Sequence, residues 1–452
     1  MVRCSRRHLA RLCCPFVRNP FASPLWRNHA FVRVWSAASI SIFGSLITRI
    51  ALPLVAILTL GAGPIEVAIL RSIDLVAALI VGFVAGAWVD RLRRRPVLIW
   101  ADLGRAVLLG SIPISFVLGT LALWQLIAVA GLAAVLTTFF DAADNAYLPT
   151  IVERERLLEA NSALAASGSV AEFAGFGVAG ALVQLLTGPI TIVIDVVTYL
   201  ISAVLLLTVR RPEPPPPPRA DREPVLDEIR HGIRLVRKDP VLRAFVGSQM
   251  LMSMLWGIFG ATWILFALEE LDVTPTMVGV IAGVGGASSF IGAVVAARST
   301  RRWGVGPVAI GAMLLAALGT LLVPLAPAGL PIIAIFFLLW QQLIADSAVT
   351  VYDVTETSVR QSRVSDRELG RVSSTFHVAS AGAQLVATIG AGLLAEVIGL
   401  RLTSLLAPLG GLLAAAILYW SPVRTLRDLP VMDSRPPAKV VVDLERDQPV
   451  GA

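Results

Sequence analysis

Six ionisable side chains stand inside otherwise apolar stretches of this 452-residue chain: Arg49, Arg71, Asp74, Glu172, Asp195 and Asp346. A charge in hydrocarbon is costly, so such groups persist where they pair, bind a ligand or carry protons. Arg49 and Arg71 can both reach Asp74, either as a structural ion pair or as part of a coupling or binding site. Glu172 and Asp195, if unpaired, are placed to take up and release protons; hydrogen bonding to neighbouring helices is the alternative. Gln342, Asp346, Thr350, Asp353 and Thr357 recur at helical spacing as one polar stripe, which should face a cavity, with Asp346 its deepest acid. Gln249, Ser253, Trp256 and Trp263 mark another helix face, readable as a ligand wall or as packing and an interfacial belt. His377 is a further candidate proton carrier.

A second group lies nearer the ends of the apolar stretches. Asp141 with Asp144, and Asp353 with Glu356, form acid pairs at i, i+3. Gating contacts with loop arginines suit them better than ligand contact. Asp102 and Arg105 share the same spacing and should pair with each other.

The elements that hold these groups are set by composition. The chain is 56% hydrophobic and 15% charged, with mean hydropathy +0.77. Soluble domains run near ~25% charged, and disorder needs low hydrophobicity, so both are excluded. Apolar stretches long enough to cross a bilayer fall near 34–58, 66–88, 97–118, 122–144, 161–186, 189–208, 242–268, 276–297, 306–326, 330–354, 372–398 and 402–421. Backbone groups in lipid must be satisfied internally, so these twelve spans should be helices.

The net charge is +7, and all 38 basic residues except Lys238 and Lys439 are arginine. The arginines cluster in alternate loops: Arg91 to Arg95, Arg154 and Arg156, the stretch 210–240, Arg298 to Arg302, and Arg360 to Arg371. In the opposite set of loops only Arg401 is basic. The positive-inside rule therefore places the arginine-rich loops and both termini in the cytoplasm. The expected organisation is a cytoplasmic tail 1–30, a six-helix bundle 31–209, a linker 210–241, a second bundle 242–421 and a cytoplasmic tail 422–452. The linker starts with a proline-rich spacer. It continues with Leu226, Ile229, Ile233 and Val236 at helical spacing, an amphipathic helix on the inner membrane face or a solvated connector. A constant offset of 212 aligns Asp141 with Asp353, Asp144 with Glu356, Glu172 with Gln384 and Gly180 with Gly392. Two parallel repeats imply a path between them with a site near the midplane. Cys4, Cys13 and Cys14 all fall in the N-terminal tail; Cys13 and Cys14 are either acylated or unmodified thiols.

Between the second and third spans lies Gly86-Ala87-Trp88-Val89-Asp90-Arg91-Leu92-Arg93-Arg94-Arg95-Pro96. This loop resembles the signature of the major facilitator superfamily: glycine, three residues, aspartate, a basic residue, any residue, glycine and two basic residues. Arg93 stands at the second glycine. The resemblance covers roughly residues 31 to 421. Thr48 to Pro53, Tyr147-Leu148-Pro149 after the fourth span, Arg360-Gln361 and Gly370-Arg371-Val372 are similar to the bacterial drug and siderophore exporter branch. There are three departures from that branch. Phe176 replaces a proline in Gly175 to Gly180, the fourth span has no intramembrane arginine, and Ser45 replaces an acid. The resemblance implies an all-α membrane protein of twelve helices in two pseudo-symmetric six-helix bundles. It assigns Gly86, Asp90, Arg91, Arg94, Arg95, Asp102 and Arg105 to cytoplasmic gating.

The expected activity is secondary active transport by alternating access in a plasma membrane, with protons or another ion as coupling partner. Export of a small amphipathic, drug- or siderophore-like molecule is the first reading. An uptake or facilitative carrier, or a transport-dead receptor, is the alternative. A monomer without cofactor, metal or nucleic-acid partner is expected. With lysine only at 238 and 439 there is no phosphate-binding loop, and no hydrolase elbow or zinc-binding histidine pair appears.

Overall fold

The computed structural model describes residues 23–89, 92–153, 156–210, 213 and 225–428. Asp90, Arg91, the three cysteines, the proline-rich spacer and most of both tails lie outside the described residues. Among the described residues the regular structure is all helical. Six helices form the first half: α1 His29–Thr59, α2 Pro64–Val89, α3 Arg94–Val117, α4 Leu123–Ile151, α5 Leu157–Leu186 and α6 Gly188–Leu207. Six form the second: α7 Pro240–Glu269, α8 Pro275–Trp303, α9 Val305–Leu325, α10 Pro331–Arg363, α11 Asp366–Ile398 and α12 Leu400–Tyr419. Eleven of them are long and apolar enough to span a bilayer. The remaining one, α2, has 26 residues, or about 39 Å of helix at ~1.5 Å per residue.

The two halves repeat each other in detail. In the first half α1 packs on α5 and α6, α3 on α4 and α6, and α2 on α4; each pair recurs six helices later. The halves meet along α5–α8 and α2–α11, which a twofold exchange interconverts. Buried positions match at an offset of 212 in α6 and α12, as Ile192 with Ser404, Asp195 with Ala407 and Leu206 with Leu418. In α1 and α3 the matching offset is 211, as Val34 with Phe245 and Leu98 with Ala309. Small residues bring the halves together. A Cβ added to Gly180 on α5 would lie 2.9 Å from Gly279 Cα on α8. The twofold counterpart is Gly392 on α11 against Ala68 on α2.

Packing also defines an open end. One apolar core draws on both halves, joining Ile50, Leu54 and Phe176 to Trp263, Ile281 and Leu338. Two further cores each stay within one half, around Phe31 and Tyr147 and around Phe245 and Tyr352. They lie toward the arginine-rich loops. There the halves part: none of residues 161–170 on α5 is buried, whereas Ala171, Gly175, Phe176, Ala179, Gly180 and Val183 are.

Several boundaries differ from expectation. Residues 23–28 pack onto the first half, with Leu25 buried beside Phe31 and Asn28 capping α1. Helix α4 continues through Pro149 to Ile151, so Tyr147-Leu148-Pro149 is helical. Gly370 likewise lies inside α11. Residues 426–427 return to the base of α9, where Leu426 and Arg427 carbonyls accept from Gly306 and Val305. The linker helix, Val225–Lys238, is docked on α11 and α7 through Gly232 and Val236. Its Ile233, expected on the apolar face, is exposed.

Candidate functional site

A cavity of about 530 Å³ lies between the halves, where the shared core ends. The first half contributes Arg49 from α1, Arg71 and Asp74 from α2, and Glu172 and Phe176 from α5. The second contributes Trp256, Phe259 and Trp263 from α7, Gly285 and Gly286 from α8, Gln342, Asp346, Thr350 and Asp353 from α10, and Gln384 from α11.

Helix geometry explains much of this convergence. The stripe Gln342, Asp346, Thr350 and Asp353 faces the cavity as its spacing predicts; Thr357 is not among the lining residues. The helix is not regular there: Gln342–Asp346 forms a π-turn. A π-turn leaves a carbonyl without its usual donor. The Ser288 hydroxyl of α8 donates to the Gln342 carbonyl at 2.9 Å, and the Ser347 hydroxyl donates back to the Ser288 carbonyl at 2.8 Å. No sequence signal marks this turn beyond the two serines.

The acids gather at one step of α8. Gln342 Nε2 donates to Asp346 Oδ2 at 3.1 Å, while Asp346 Oδ1 is buried without a partner. A Cβ on Gly285 would collide with Asp346 Oδ2, the oxygen that accepts from Gln342. A Cβ on the adjacent Gly286 would lie 3.3 Å from Glu172 Cγ. Glu172 of the first half and Asp346 of the second therefore converge on two consecutive glycines.

The opposite group behaves differently. Among the described residues Arg49, Arg71 and Asp74 form no ion pair within 4.0 Å and no side-chain hydrogen bond, although all three line the cavity. The expected ion pair on Asp74 is thus not made in this conformation. Trp256, Phe259 and Trp263 form a continuous aromatic row, with ring centroids 5.5 Å and 5.8 Å apart.

Other expected site residues fall elsewhere. Asp195 does not line the cavity; it is fully buried between α1 and α6, accepting from Thr48 at 2.5 Å and Thr198 at 3.1 Å. Gln249, Ser253 and His377 are also not lining residues, and Ser253 is buried within α7 packing. Asp102 and Arg105 do pair, at 2.6 Å, with side chains 0% and 3% exposed. The Arg105 guanidinium is sandwiched between the Phe140 and Tyr199 rings at 4.4 Å and 4.3 Å. Tyr199 in turn shares a 2.8 Å hydrogen bond with Ser45. This first-half network of Ser45, Thr48, Tyr199, Asp195 and Arg105 was missed in sequence, because helical spacing does not tell which neighbour a face meets.

Among the described residues, those expected to gate meet only their own half or the start of the linker. Arg94 and Arg95 hold Glu213 through backbone amides at 2.7 Å and 3.3 Å, and Arg95 donates to the Leu206 and Leu207 carbonyls that end α6. Glu356 pairs with Arg360 one turn along, at 3.5 Å. Asp141, Asp144 and Asp353 have no ion-pair partner among the described residues. Gly86 lies in α2.

Comparison with known proteins agrees with this architecture. Residues 34–345 match the profile of the Major Facilitator Superfamily. The chain is 23% identical over 392 residues to the uncharacterized MFS-type transporter YfiS of Bacillus subtilis, covering 84% of this chain and 91% of that protein. Among solved structures it resembles a bacterial homologue of the iron transporter ferroportin in an inward-facing state, with TM-score 0.69, 17% identity and coverage of 88% and 98%. It also resembles the nucleoside transporter NupG, with TM-score 0.69, 13% identity and coverage of 86% and 98%.

Proposed function

Since the chain belongs to the major facilitator superfamily of membrane transporters, we propose that it exports a small amphipathic molecule in exchange for protons by alternating access. The observation that carries the reading is the convergence of Glu172 and Asp346, one from each half, on Gly285 and Gly286. Rocking of the halves about the α5–α8 seam changes the distance between these acids and their access to water. Proton uptake and release then follow the conformational cycle. The positive-inside rule puts the open, arginine-rich end in the cytoplasm, so this conformation faces inward. A plasma membrane location, cytoplasmic termini and a monomeric carrier complete the reading. Asp141, Asp144 and Asp353 are placed to meet loop arginines across the halves when the inner end closes, and Glu356 would do so by exchanging its Arg360 partner.

Flux in proteoliposomes under an imposed pH gradient tests the proposal. Net movement of a drug- or siderophore-like compound against the proton gradient is expected, and Glu172→Gln and Asp346→Asn should each remove it without loss of membrane insertion. Flux that ignores pH in either direction marks a facilitative carrier instead.

A further inference from the structure

Several arginines in or beside the spans are matched to acids or carbonyls. Arg105 holds Asp102 at 2.6 Å. Arg360 holds Glu356 at 3.5 Å. Arg401 holds Glu270 at 3.1 Å and donates to the Pro324 and Ala326 carbonyls. Arg49 and Arg71 break the pattern. Both face the cavity, neither has a hydrogen-bond or ion-pair partner among the described residues, and Arg71 Nε is buried with no acceptor. Arg49, which is exposed, repels the half-buried Arg71, with Asp74 offsetting part of that repulsion, and the buried Arg71 Nε without an acceptor forfeits its desolvation cost. Asp74, three residues beyond Arg71, lines the same cavity and attracts both arginines across it without a hydrogen bond to either. Four carboxylates, Asp74, Glu172, Asp346 and Asp353, share this lining, yet the buried Arg71 Nε keeps an open donor that an anion from outside the chain would satisfy.

The surroundings define the rest of that ligand. The aromatic row Trp256, Phe259 and Trp263 lines the same cavity from the other half. The α8 positions that the twofold relates to Arg71 and Asp74 are Ala282 and Gly285, which carry no charge, and the space beside Gly285 is taken by Asp346 and Gln342. We propose that Arg49 and Arg71 jointly bind the carboxylate or sulfonate of an amphipathic organic anion whose aromatic body lies on Trp256, Phe259 and Trp263. Guanidinium forks suit such planar, multi-oxygen groups, and flat rings supply the apolar contact. This deepens the transport reading, since it takes the cavity to be the substrate path.

Three probes with one ring system and different charge test it: 2-naphthoate, 2-naphthylmethanol and 2-naphthylmethylammonium. Binding of each to the full-length purified protein is read by quenching of tryptophan fluorescence. Naphthoate is expected to bind at least about tenfold more tightly than the other two, as befits charge-assisted hydrogen bonds. Arg49→Gln combined with Arg71→Gln should abolish that preference. The corresponding single lysine substitutions should keep it at reduced affinity, which separates charge from misfolding. Equal binding of the three probes, or a preference for the ammonium, overturns the inference. Selective naphthoate binding without pH-driven flux rejects proton coupling alone. Proton-driven flux of the ammonium probe with no naphthoate preference rejects the anion site alone.

Discussion

At four twofold-related positions the interiors of the two bundles differ sharply in chemistry. In the first half, α1, α3 and α6 enclose Asp102, Arg105, Asp195 and Tyr199, all buried. The twofold carries these to Met313, Ala316, Ala407 and Gly411, also buried. One half is filled by an ion pair, stacked rings and hydroxyl–carboxylate hydrogen bonds. The other is filled by backbone approach: a Cβ on Gly411 would lie 2.9 Å from Ala317 Cβ. Even the glycine that admits the close contact between first and last helix changes sides. It is Gly44 on α1, facing Thr198 and Asp195, in the first half, and Gly410 on α12, facing Leu255, in the second. A helix bundle in lipid thus needs volume and satisfied polar groups at these positions, and either solution meets the need.

The largest test of this contrast removes half of the ion pair. Arg105→Ala leaves a fully buried carboxylate at Asp102 and should cost about 3–5 kcal/mol, read as chemical or thermal unfolding in detergent. Adding Asp102→Met copies the second-half residues and should recover most of that loss. If the single variant is as stable as the parent, the polar interior is dispensable and the comparison fails. Next in size is Gly411→Val, which places side-chain atoms against Ala317 and should cost about 1–3 kcal/mol by the same assay. Asp195→Asn keeps the shape and an acceptor for Thr48, so a loss of at most about 1 kcal/mol is expected. Its pH-driven flux profile should match the parent, while Asp346→Asn should lose that flux. A matching loss in Asp195→Asn would move proton handling from the cavity into the first-half interior. The smallest effect belongs to Glu213→Gln, which weakens the clasp on Arg94 at the base of the first half. A change of about 0.5–1 kcal/mol is expected, with little dependence on salt because both side chains are largely buried.

Sequence periodicity located the helices because lipid-spanning length and alternating loop charge are large signals. The polar stripe on α10 was legible for the same reason, and the Asp102–Arg105 pair followed from i, i+3 spacing. What periodicity does not carry is rotation between neighbours. Asp195 and Glu172 look alike along the chain, yet one is sealed against Thr48 and Thr198 and the other opens onto the cavity. The triad Arg49, Arg71 and Asp74 was legible as a cluster, but spacing alone did not reveal that the three stay apart. Arg94 and Arg95 were readable as loop anchors, while their attachment to Glu213 and the end of α6 depends on a long-range return of the chain.

The seam between the halves has a mechanical meaning. At Gly180 and Gly279 main chain rests almost on main chain, and at Gly392 it rests on the Ala68 methyl and the Pro64 carbonyl. Parting such surfaces unlocks few interdigitated rotamers, and re-closing them demands little side-chain search. Resistance to opening this seam then comes mainly from lost dispersion over a narrow strip. Any substitution that thickens this strip would act as a wedge, biasing the resting population without touching a single polar group.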